Sequence, residues 1–151
     1  MYKLNVLISA HEISPYQGSE CAEGWNIVKR IGKYHNLTVL YASGTHLNPK
    51  DYENHLINYF AENELLINTT FISVPQPRVT LFIARFNYYF SKSKSIGIPF
   101  LFFLGYKLWQ KKAYRVAINL HNDNPFDIVH HLTAITFREP GYLWKLKIPF
   151  I

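Results

Sequence analysis

The stretch ISAHEISPYQGSECAEGW, residues 8–25, takes a strand-like apolar run into a loop holding His11, Glu12, Pro15 and Gly18, then restarts at once as a helix. Residues 3–10 (KLNVLISA) read as a buried strand, being short, apolar and partly β-branched. Across residues 20–33, Cys21, Trp25, Val28 and Gly32, with Ile31, fall near one helical face. Glu20 and Glu23 lie in the first turn, where the helix dipole favours anions. A strand running through a short loop into a helix opens a βαβ unit. Such a loop either turns the chain or holds a ligand at the helix N-terminus.

The remaining chain repeats the alternation. Residues 37–42 (LTVLYA) read as a second strand, and Asn48-Pro49 as a helix start leading to about residue 63. Residues 69–74 (TTFISV) form a third strand, closed by Pro75 and Pro77. Residues 78–90 fit one helix, 91–95 a polar break, and 100–120 a long helix, best marked from Leu104 by Leu108, Lys111 or Tyr114, and Ile118. Residues 126–132 (FDIVHHL) make a fourth strand, residues 141–145 a short helix, and residues 148–151 the opening of a fifth strand. The expected fold is therefore α/β, a Rossmann-like doubly wound parallel sheet in three layers. In that topology strand four returns beside strand one, and ligands bind at the reversal. The loop over residues 10–19 would then face the loop over residues 131–140 across one crevice, with the segment 75–122 as the crossover.

With 151 residues, 48% hydrophobic and 17% aromatic, the chain suits a single domain spanning 1–151. Cys21 is the one cysteine, so no internal disulfide forms, which fits a reducing compartment. No cleavage pattern marks a signal peptide, and no apolar run reaches the length of a membrane span. The net charge of +6 is local: residues 65–122 hold no Asp or Glu, but Arg78, Arg85, Lys92, Lys94, Lys107, Lys111, Lys112 and Arg115. The other eight bases face all ten acids elsewhere. A basic, aromatic segment of this kind suggests an anionic surface, either membrane headgroups or nucleic acid; the plain alternative is a solvated helix face. Within it residues 96–109 (IGIPFLFFLGYKLW), interrupted by Gly97, Pro99 and Gly105, cannot span a bilayer. They could dip into one, with Tyr106 and Trp109 at headgroup level and Lys107, Lys111 and Lys112 on phosphates, unless the aromatics simply build the core.

Three places carry candidate chemistry. Gly18 and Ser19 at a helix start offer backbone N–H groups to an anion, or merely a cap; the spacing matches neither a dinucleotide fingerprint nor a P-loop. His130 and His131 point to opposite faces of a strand, so they cannot share one metal, and one of them packs into the sheet. Arg138, in residues 133–140 (TAITFREP), suits an anionic group or a local ion pair with Glu139. His11 and Glu12 have acid–base chemistry but no assigned role.

Taken together, the loop ending Pro15-x-x-Gly18-Ser19-Glu20, the helix with Gly24-Trp25, residues 126–133 (FDIVHHLT), Phe137-Arg138-x-Pro140 and Ile148-Pro149-Phe150-Ile151 resemble the N-terminal half of a family 4 glycosyltransferase of GT-B architecture. The resemblance implies retaining transfer of a sugar from a nucleotide-sugar co-substrate to a saccharide or lipid-linked acceptor. It sets Gly18 and Ser19 near the donor diphosphate, and His131, Thr133 and Arg138, with His11 and Glu12 in the same cleft, on the acceptor side. It implies no metal, no further cofactor and no nucleic acid. Members acting on lipid-linked acceptors dock a basic aromatic surface of this domain on a membrane, which suits Lys107, Trp109, Lys111 and Lys112 at the cytoplasmic face. In the family a second, donor-binding domain follows the strand that begins near Ile148. The chain given ends at Ile151, so it is expected to be inactive alone: a fragment, a truncated product or one subunit of a split enzyme. A non-catalytic nucleotide- or nucleic-acid-binding module is the other expectation.

Overall fold

A computed structural model describes residues 2–15, 19–43, 58–59, 67–80, 82–83, 85–86, 89, 99–132 and 141–151. The named elements are β1 (Asn5–Ala10), α1 (Ser19–Gly32), β2 (Asn36–Ser43), β3 (Thr69–Pro75), α2 (Pro99–Asp123), β4 (Ile128–Leu132) and a 3-10 helix (Leu143–Leu146). All four strands pair in parallel, in the order β3-β2-β1-β4. This is an α/β Rossmann-like sheet, and the return of β4 to the side of β1 puts the topological reversal between those two strands.

Alternation along the strands sorts side chains onto the two faces. Val6, Ile8 and Ala10 of β1 join Leu37, Val39 and Tyr41 of β2 in one cluster, covered by Trp25 and Val28 of α1. Leu7, Leu40, Ala42, Val74 and Val129 turn the other way, under Tyr106, Trp109, Ala113 and Ala117 of α2. A sheet buried on both faces requires near-continuous apolar strands, which is why VLISA of β1 contains no charge. At the amino ends of the strands, the Asn5 N–H donates to Asp127 Oδ2 at 2.7 Å and the Asp127 N–H donates to the Asn5 carbonyl at 2.8 Å. Beyond β4, Phe150 bridges Val129 in parallel, and the Ile151 N–H donates to the Val129 carbonyl at 2.9 Å. The expected fifth strand thus begins as the next rung of the sheet.

The expected face of α1 holds: Cys21, Trp25, Val28 and Gly32 are buried and Ile31 is half-buried. The expected face of the long helix does not. Leu104, Leu108 and Ile118 are only half-buried, and the face pressed on the sheet is Tyr106, Trp109, Ala113 and Ala117. Small side chains let the helix axis approach the sheet, so the alanines mark the close contact, and Tyr106 and Trp109 on their N-terminal side fill the space there. Trp109 is fully buried, and its Nε1–H donates to the Val74 carbonyl at 2.9 Å. It is therefore a core residue and not a membrane contact, and Tyr106, 3% exposed, is withdrawn from headgroup level with it. Of the helix expected over residues 78–90, the described positions are helical. The polar break at 91–95 and nearly all of the helix expected from Asn48 lie outside the described residues.

Candidate functional site

The loop after β1 does not simply leave the sheet. Ile13 turns back into the α1-side core and is fully buried, and Ser14 is buried beside it. That anchorage fixes His11 at the carboxyl end of β1, where its carbonyl accepts from the Ala42 N–H at 3.1 Å and prolongs the pairing with β2. The imidazole meets the rings of Tyr106 and Trp109 edge-on, at centroid distances of 5.0 and 4.9 Å. Aromatic walls on two sides leave its nitrogens facing the strand ends. Nε2 lies 2.7 Å from Gln76 Nε2, just past β3, and Nδ1 lies 3.8 Å from Glu12 Oε1. With the Gln76 amide nitrogen as donor, Nε2 accepts, and Nδ1 is the nitrogen turned toward the carboxylate. The Cys21 thiol is 3.9 Å from the other Glu12 oxygen, so Glu12 ties the loop to α1.

Tyr106 carries the row onward. Its hydroxyl is 3.2 Å from His131 Nε2, and Gln110 Nε2, one helical turn along, approaches the same nitrogen at 3.5 Å. The His131 ring stacks on Phe150 at 6.2 Å. Gln76, His11, Tyr106, His131 and Gln110 therefore form a polar row across the carboxyl ends of β3, β1 and β4, roofed by α2. Gln76 Oε1 and Gln110 Oε1 are buried without a hydrogen-bond partner among the described residues. Each is an acceptor left unused in a place where an unmet polar atom costs stability. Gly141 comes close enough that a Cβ would lie 3.1 Å from Gln110 Nε2, so it packs directly on this amide.

His130 lies on the opposite face, half-buried on the α1 side, where desolvation lowers its pKa below the usual histidine value. Of the two adjacent histidines, His131 joins the row and His130 does not. Ser19 opens α1, at the end of the same loop; Gly18, Thr133 and Arg138 lie outside the described residues. The lysines expected on a membrane differ among themselves. Lys107 and Lys111 are exposed, with Lys111 5.9 Å over the Tyr142 ring, whereas Lys112 donates to the Pro75 carbonyl at 3.0 Å and clamps α2 to β3.

Sequence reasoning missed Gln76 and Gln110, and of the two readings it leaves open for Tyr106 the core one holds. Gln110 stands at helical spacing from Tyr106, Ala113 and Ala117, and a glutamine on a small-residue face was the available signal. Among the described residues, no group of three His, Cys, Asp or Glu side chains is placed to hold a metal ion. Compared with models of known protein families, with curated proteins and with solved structures, the chain matches none.

Proposed function

We propose that the chain is the acceptor-binding half of a retaining glycosyltransferase, which moves a sugar from a nucleotide-sugar to a saccharide or lipid-linked acceptor. The observation that carries this reading is the polar row across the ends of β3, β1 and β4. Its members are amides, imidazoles and a phenol, which are hydrogen-bonding groups suited to a polyhydroxylated ligand. A phosphate would instead call for guanidinium, ammonium or a helix N-terminus. Gln76 Oε1 and Gln110 Oε1 are buried acceptors that hydroxyl donors would satisfy once the row opens to a ligand, and Glu12 adds a carboxylate at the Nδ1 side of His11. The motif resemblance points to the same chemistry.

On this reading the row orients the acceptor hydroxyl, and the start of α1 at Ser19 faces the departing diphosphate with its N–H groups. In the family that the motifs resemble, a second domain holds the nucleotide. The other reading, a nucleotide- or nucleic-acid-binding module, draws on the acid-free window 65–122. Thermal-shift titration with a panel of saccharides and, separately, with nucleoside diphosphates distinguishes the two. Saccharides should raise the melting temperature of the wild type and not of Gln76→Ala, with nucleotides silent. Stabilisation by nucleotides with saccharides silent would favour the binding module.

A further inference from the structure

At the amino ends of the strands, the far end of the sheet from the polar row, three large apolar side chains stand out of the fold. Tyr2, Tyr34 and Ile67 are 79%, 57% and 84% exposed. They lie two or three residues before β1, β2 and β3, which are neighbours in the sheet. The Asn36 N–H donates to the Leu4 carbonyl at 2.9 Å and the Leu37 N–H to the Asn68 carbonyl at 2.8 Å, so these lead-in segments run side by side, about 5 Å apart. Apolar residues scattered singly over a surface need no explanation, but three on adjacent lead-ins make one patch. Charge flanks it on both faces of the sheet. On the α1 face the helix closes with Arg30 and Lys33 follows it, both exposed. On the other face α2 closes with exposed Asp123, whose charge adds to that of the last helical carbonyls. None of these three groups is in an ion pair among the described residues.

We propose that this end of the sheet is the contact surface between two copies of the chain, paired about a two-fold axis that lies in the plane of the sheet and crosses its strands. Such an axis sets strand ends against strand ends and exchanges the two faces, so the α1 end of one copy meets the α2 end of the other. Arg30 and Lys33 then approach Asp123 of the partner subunit, twice by symmetry, while Tyr2, Tyr34 and Ile67 meet uncharged counterparts. An axis perpendicular to the sheet would instead set basic end on basic end, which like charge opposes. Charge also selects a second copy as the occupant. A net charge of +6 repels copies over most of the surface, but an apolar centre between flanks of opposite sign is complementary to itself. Lys3 and Asp127, both exposed on the neighbouring lead-ins of β1 and β4, keep the rest of this end balanced. The inference is independent of sugar transfer: a dimer without affinity for any saccharide leaves it intact.

Sedimentation equilibrium at low salt, from about 10 μM to about 1 mM chain, tests it over the range of weak protein contacts. The wild type should show a reversible monomer–dimer equilibrium. Tyr34→Asp with Ile67→Asp should raise the dissociation constant about tenfold or more while melting like the wild type. Arg30→Glu with Lys33→Glu should weaken the dimer as well, and adding Asp123→Lys to that pair should recover it, because the two flanks have then exchanged sign. A wild type that stays monomeric throughout the range would overturn the proposal and leave the patch to a different partner. So would a dimer indifferent to the aspartates, or a charge-exchanged variant that dimerises no better than Arg30→Glu with Lys33→Glu.

Discussion

Tyr106 stands between the two histidines, its ring against His11 and its hydroxyl at His131, and Tyr106→Phe isolates the hydroxyl, because the ring contacts with His11 and Trp109 survive. Loss of one buried hydrogen bond should cost about 1 kcal/mol in urea unfolding, with saccharide binding falling further than stability. Trp109 separates a core role from a surface one. Trp109→Ala should cost about 3–5 kcal/mol, whereas Lys107→Ala should fall within about 0.5 kcal/mol of wild type. His130 sets a pH dependence of its own. Burial lowers its folded pKa, so below the ordinary value of 6.5 the unfolded chain binds the proton first. Its contribution is therefore complete above that pH, falls as pH drops from there toward the folded pKa, and then levels off. His130→Gln should flatten that part of a stability-against-pH curve, and an unchanged slope would contradict the assignment.

Among the elements, α2 shows what was legible in the residues and what was not. A helix over residues 100–120, marked from Leu104, follows from spacing and is observed over Pro99–Asp123, but the buried face could not be read from the large apolar residues. Leu104, Leu108 and Ile118 only half-bury, because a crossover helix lying over a sheet is limited by how closely its axis can approach, and the alanines set that distance. The helix also accepts neighbours through two glycines. At Gly105 a Cβ would collide with Thr80, so Gly105→Ala should destabilise by about 1–3 kcal/mol and loosen the helical turn that carries Thr80. Gly141 has φ of 64° and presses on Gln110. Gly141→Ala should therefore cost about 1–2 kcal/mol from the backbone alone and move Gln110 off His131 as well, to be read as weakened saccharide binding.

For the whole molecule, the topology was the readable part. Strands alternating with helices, and the return of FDIVHHL beside KLNVLISA, need only period and chain connectivity, and the sheet order β3-β2-β1-β4 agrees with both. That order brings His11 and His131 to one end of the sheet. It does not say what lies between them, because Tyr106 and Gln110 arrive through the orientation of α2 over the sheet and Gln76 through the turn after β3. The central claim is that this row receives a polyhydroxylated acceptor. The most direct measurement is the NMR signals of the His11 and His131 imidazoles during titration with the saccharide that most raises the melting temperature. Saturable shifts at both rings, absent in Gln76→Ala and unaffected by nucleoside diphosphate, are the predicted result. Unmoved imidazoles at saturating saccharide, or shifts produced by nucleotide alone, would contradict the account.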